Sequence, residues 1–131
     1  MSEKATRDTL LNQLITSFTD IEILYENRNK IPKGDEFLEV FFIPAVNDST
    51  GKSVSSTQDE GIFQVTIAVK KGDYDNRQLE LVDRVYQAFS INSTLSYNGT
   101  YVDVTEYSTN AGRESDGFYK RDVSIGYLTF S

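Results

Sequence analysis

The chain has 131 residues, a net charge of −7, and neither cysteine nor histidine. That composition excludes disulfides, thiol and Ser–His nucleophiles, histidine general bases, and zinc sites built from Cys and His. The length fits one domain over 1–131 with a core of its own, and eight Phe and eight Tyr supply bulk that a 38% apolar content would otherwise lack. An acidic chain has no excess of cations with which to release counterions from nucleic acid.

The N-terminal stretch MSEKATRDTLLNQL is polar and lacks the apolar core of a signal peptide. No apolar run reaches the ~20 residues that span a bilayer. The expectation is a soluble protein made in the cytoplasm, with no membrane partner. Leu11, Leu14, Ile15 and Phe18 fall at i, i+3, i+4 and i+7, which predicts a first helix over about 4–19. IEILYE alternates Ile21, Ile23 and Tyr25 against Glu22 and Glu26 and reads as a strand. NRNKIPKGDE is dense in turn formers and reads as a loop.

FLEVFFIPA is a β-prone run that Pro44 ends. Its Phe41–Ile43 segment has no polar alternation, so both faces are expected to be covered, the second by helices or by another subunit. VNDSTGKSVSSTQDEG is polar and aperiodic, too long for a tight turn and long enough for a functional or mobile loop. IFQVTIAVK alternates Phe63, Val65, Ile67 and Val69 against Gln64, Thr66 and Lys70. These two strands should pair as one long antiparallel hairpin.

KKGDYDN is a turn in which Asp73 or Asp75 is placed to cap a helix. The same two carboxylates are too few for a calcium site of six or more oxygens. Helix 2 is predicted over about 76–89, with Leu79, Val82, Val85, Tyr86 and Phe89 inward and Arg77, Glu80, Asp83, Arg84 and Gln87 outward. SINSTLSYNG reads as a linker that ends in a tight Asn98–Gly99 turn. TYVDVTEY is a strand, STNAGRESDG a second long polar loop, and FYKRDVSIGYLTF a closing strand with Tyr119, Val123, Ile125 and Tyr127 on one face. The order is α-β-β-β-α-β-β. It predicts an α+β fold: a mostly antiparallel sheet of about five strands with two helices on one face.

Few residues invite a chemical role. The acid pairs Asp59–Glu60 and Glu114–Asp116 could be set as glycosidase carboxylates only if fixed across a sugar, and solvated loop charge explains them. Asn47, Asn92 and Asn98 match the glycosylation acceptor pattern, but nothing routes this chain to secretion. Lys70–Lys71 and Lys120–Arg121 are too few for a nucleic-acid patch and suit ion pairs to a neighbouring subunit. No cofactor is called for.

One resemblance organises these elements. GDEFLEVFFIPA, a polar loop, DEGIFQVTIAVKKGDYDN, a helix ending YQAF, and DGFYKRDVSIGYLTF resemble, in that order and spacing, the tail terminator proteins of long-tailed bacteriophages. The likeness runs over about residues 20–130 and is closest to the siphophage type. It implies a structural virion protein with no catalytic residues, sited at the head-proximal end of the tail. Such a protein forms a ring, usually hexameric, that caps the tail tube, stops its polymerisation and presents a surface to the head connector. DNA would pass through the bore without specific binding, helped by acidic side chains that repel it. A head–tail connector that seals DNA is the alternative, and a small sugar- or ester-acting enzyme a weaker one. The partner-facing residues are expected in the two long loops: Asp48, Lys52, Val54, Asp59, Glu60, Arg113 and Glu114. The Asn47–Glu60 loop is expected to be mobile in the free protein and to order against the tube or a neighbouring subunit.

Overall fold

A computed structural model describes residues 3–25, 34–43, 58–70 and 74–130, and only the backbone of 58, 59, 74, 75 and 130. Two helices, α1 (Glu3–Ser17) and α2 (Tyr74–Ala88), accompany seven strands: β1 (Glu22–Tyr25), β2 (Glu36–Ile43), β3 (Gln58–Lys70), β4 (Thr94–Tyr97), β5 (Thr100–Thr109), β6 (Arg113–Ser115) and β7 (Phe118–Phe130). All seven strands join one sheet in the order β1-β2-β3-β7-β5-β4, with β6 also paired to β7. The α+β class and the antiparallel β2–β3 pair, Glu36 opposite Val69 through Ile43 opposite Ile62, agree with the sequence reading. The β1–β2 pair is parallel.

Two short strands are added to the expected set, and both lie in stretches read as loops. SINSTLSYNG contains β4, and STNAGRESDG contains β6. In each case a two-residue turn makes the hairpin. Asn98 and Gly99 have φ of 49° and 80°, and Asp116 and Gly117 have φ of 54° and 84°, the paired positive values that favour Asn-Gly and Asp-Gly. The Asn-Gly turn was legible; the equivalent Asp-Gly signal lay unused in the polar stretch before β7.

The core forms on the sheet face that the helices cover. Phe63, Val65, Ile67 and Val69 of β3 point into it with Val123, Ile125 and Tyr127 of β7, and Leu10, Leu14, Leu81, Val85 and Phe89 close it from the helices. Strand alternation makes this possible, because every second residue shares a face. Most of the predicted helix stripes are buried: Leu14, Phe18, Val82, Val85 and Phe89 lie in the core and Leu11 and Tyr86 pack against it, with Ile15 and Leu79 the exceptions. In α1 the buried residues are Thr6, Thr9, Leu10 and Leu14, while Ile15 is exposed. Thr9 tolerates burial because its hydroxyl donates to the Ala5 carbonyl at 2.8 Å. In α2 Leu81 and Gln78 are buried, and Leu79, expected inward, is exposed. Gln78 is held by its own bonds: Nε2 donates to the carbonyls of Ile67 at 3.0 Å and Tyr119 at 3.1 Å, and Oε1 accepts from Arg121 Nε at 3.1 Å. A buried amide so satisfied costs little, which is why a polar residue can occupy a core position.

One irregularity sets the far end of the sheet. The β5–β7 register shifts between Val104 and Glu106. The extra residue, Thr105, flips the alternation, so Tyr107 joins Val102 and Val104 on the helix-covered face. There it stacks on Tyr86 of α2 with ring centroids 3.9 Å apart.

Candidate functional site

Among the described residues the opposite face of the sheet carries no helix, and its composition changes along its length. At one end Leu24, Phe37 and Ala68 are buried beneath Phe118. The rings of Phe37 and Phe118 meet edge to face at 4.9 Å. Lys120 lies across Phe37 at 5.7 Å and pairs with Glu39 at 2.9 Å, so this end is closed by the chain itself.

The middle is polar and internally satisfied. Thr66 Oγ1 donates to Asp122 Oδ1 at 2.6 Å, and Arg113 of β6 grips the same carboxylate with bonds of 2.8 and 3.2 Å. Burial opposes ionisation of Asp122, but the hydrogen bonds from Thr66 and Arg113 outweigh it and hold its carboxyl below the usual range. This cluster pins the β6 hairpin to the sheet.

The other end is apolar and open. Ile43 and Ile62 sit opposite each other in register, 46% and 41% exposed. Half-buried Phe41 and Leu128 adjoin them. Gly126, opposite Ile62, leaves the floor flat there, and the Glu106 side chain lies over the space that a Cβ on Gly126 would take. The Phe41–Ile43 run is thus covered on one side only. Phe42 packs into the core and stacks on Tyr127, while Phe41 and Ile43 face away from the helices.

The residues expected to meet partners are split by the fold. Asp48, Lys52 and Val54 lie outside the described residues, as does Asp73. Asp59 and Glu60 belong to β3 rather than to a loop, because Gln58–Gly61 extend past β2 and pair with β7. Glu60 is exposed opposite Leu128, beside the Ile43–Ile62 pair. Arg113 and Glu114 belong to β6, opposite Lys120 and Tyr119. Eight residues of β7 separate Lys120 from Leu128, or about 27 Å at the usual rise, so these two groups do not form one surface. Three of the four basic-pair residues are engaged at home, Lys70 with Asp35 at 3.6 Å, Lys120 with Glu39, and Arg121 with Gln78, while Lys71 lies outside the described residues. Asp75 falls inside α2, which starts at Tyr74 rather than 76.

The exposed Ile43–Ile62 pair was missed in the sequence. The signal was present: Ile62 shares its parity with Gln64, Thr66 and Lys70, and an isoleucine on a polar face is out of pattern. Asp122 gave no local signal, because its partners are 9 and 56 residues away in the chain.

A second ion-pair set ties the helices to the sheet. Arg77 binds Glu36 at 2.7 and 2.9 Å, and Arg84 binds Asp20 at 2.8 and 3.1 Å. The Arg77 hydrogen bonds lower the Glu36 pKa, and those from Arg84 lower that of Asp20. Among the described residues no group of three or more acidic side chains is arranged to hold a metal ion.

A helix-backed sheet whose other face is partly apolar, with its polar groups bonded to each other, offers a surface for protein contact. The family model for the phage tail terminator protein matches residues 3–127. The chain belongs to that family: it is a structural, non-enzymatic protein of the bacteriophage tail. A solved structure 21% identical in sequence superposes with a TM-score of 0.79, covering 98% of this chain and 96% of the other, which establishes the shared fold. No curated protein matches the sequence.

Proposed function

We propose that the protein forms a ring on the end of the tail tube, stops tube polymerisation and presents the surface to which the head connector joins. The observation that carries this reading is the family match over almost the whole chain. The fold is compatible with it. The open end of the sheet offers Phe41, Ile43, Ile62 and Leu128 with acidic Glu60 and Glu106 at its border, and an apolar patch rimmed by polar residues is the usual form of a protein-binding surface. We assign the tube contact to this end, together with the Asp48–Thr57 segment that leads into β3 and carries Lys52 and Val54. Arg113 and Glu114, on β6 toward the other end of β7, are assigned to a different partner or to none.

The acidic balance of the chain suits a ring through which DNA moves, because a negatively charged bore repels the phosphate backbone. The decisive experiment is the length distribution of tails assembled without the protein. Tails of uncontrolled length with no heads attached are expected. Tails of normal length that merely fail to join heads would instead establish a connector.

A further inference from the structure

Among the described residues the sheet is open, with β1 at one end and β4 at the other, and the three-residue β6 paired to β7 alone. An edge strand presents backbone donors and acceptors that can pair with another chain, and proteins guard such edges with charge, proline or a bulge. β4 has none of these and is guarded only by its length of four residues. The pair Tyr97–Thr100 next to the two-residue turn, and Leu95–Val102 beyond it, are bonded to β5. Antiparallel alternation therefore turns the N–H and C=O of Thr94 and Ser96 outward, and both residues are exposed.

The composition of that strand is unusual for this chain. One residue in four is charged overall, yet none is charged from Val85 to Val102; the charges beside β4 come from elsewhere, Asp103 bonded to Thr94, and Lys4 and Asp8 near Tyr97. Ile91, Tyr97 and Tyr101 in this stretch are 46%, 38% and 61% exposed. β1 differs: Glu22 lies in it and Asp20 just before it. Two β1 edges brought together would oppose these acids, whereas β1 against an uncharged β4 would not.

From these observations we infer that the β4 edge accepts β1 of a second copy of this chain, continuing the sheet from one subunit into the next. This rests on the ring reading above and names the seam. Among the described residues β1 and β4 have four each. Following the pairings across the sheet, β1 and β4 run in the same direction. Copies related by rotation about an axis along the strands would therefore join in parallel, as β1 and β2 already do. The contact uses two different edges, so it does not close on itself as a dimer and repeats until a ring is complete. The side chains also continue: Leu95 and Tyr97 lie on the helix-covered face, as do Ile23 and Tyr25. The seam would extend the core across subunits.

The chain lacks cysteine, so introduced cysteines are its only thiols, and a cross-link between two copies is recognised by the mass of a multimer of this chain. Ser96→Cys and Glu22→Cys place thiols on the same, helix-free face, and a short bismaleimide tolerates a shift in register. In isolated tails carrying the double variant, cross-linking should give a ladder of multimers, and neither single variant should give any. Dimers from Ser96→Cys alone would mean a two-fold β4–β4 contact and overturn the proposal. No cross-link in tails that hold several copies would overturn the seam and leave the ring standing. One copy per tail would overturn both. Ser96→Pro provides a second arm should the cysteine variants fold poorly. It removes an outward N–H and no internal ladder bond, so the melting temperature should hold while incorporation into tails falls about tenfold or more. Normal incorporation of Ser96→Pro would sink the proposal.

Discussion

The Tyr127 hydroxyl donates to the Ile43 carbonyl at 3.3 Å, reaching across the position of Gly61. A Cβ on Gly61 would collide with the Tyr127 ring and hydroxyl and lie 2.9 Å from the Ile43 carbonyl oxygen. The glycine is therefore needed for space rather than for an unusual φ. It lets a core tyrosine on β7 fasten the end of β2, two strands away, at the root of the apolar patch.

Gly61→Ala should destabilise the protein by about 1–3 kcal/mol, the range for overpacking a filled site. Tyr127→Phe alone should cost less, about 1 kcal/mol for one hydrogen bond. The two changes touch the same contact, so a double-mutant cycle by urea unfolding should give a coupling of at least ~0.5 kcal/mol. Strict additivity would show that the tyrosine is not what the alanine meets.

Gln78→Ala should lower stability by about 2–3 kcal/mol, because it removes a bond each from the Ile67 and Tyr119 carbonyls and from Arg121 as well as opening space. Gln78→Leu should not restore it, although leucine fills the volume. Equilibrium denaturation separates the cases: recovery with leucine would mean that packing alone matters at this position.

Asp122 and Glu36 both have folded pKa values below the ordinary carboxylate range. The unfolded values are about 3.9 and 4.3. The stability these groups contribute is therefore present above those values and is lost as pH falls through the lower folded ones. Asp122→Asn should be less stable than wild type at pH 7 by about 1–2 kcal/mol, the scale of a charge-assisted bond. The gap should narrow below about pH 4. Melting curves at pH 7, 4 and 3 test this, and a gap independent of pH would exclude the charge as its origin.

Replacing Asn47–Thr57 with a short Gly-Asn turn should leave the melting temperature within a few degrees. The removed residues are nearly all Ser, Thr, Asp, Asn and Gly, with Val54 the one large apolar side chain, a composition that does not build a core. The cut ends at Thr57 because Gln58–Gly61 pair with β7. Tube capping should be abolished, as read from tail lengths in micrographs. Normal capping would move the tube contact elsewhere.

Strong local periodicity made most of the fold readable in the sequence. The alternation of Phe63, Val65, Ile67 and Val69, the β2–β3 hairpin, the Asn98–Gly99 turn and the closing strand all rest on near neighbours, and so did the family resemblance. What depended on distant partners was not readable. Most of the inward stripe of each helix was readable, but Thr9 and Gln78 look polar in sequence, and only a carbonyl within the helix or on the sheet makes them fit the core. The bulge at Thr105 changes which side Tyr107 occupies, and nothing local to TYVDVTEY announces it. The exposure of Ile43 and Ile62, the Asp122 cluster and the uncharged β4 edge were decided by which strands became neighbours. Tertiary structure set them because a sheet joins residues far apart in the chain, and composition alone does not say which faces and edges remain open.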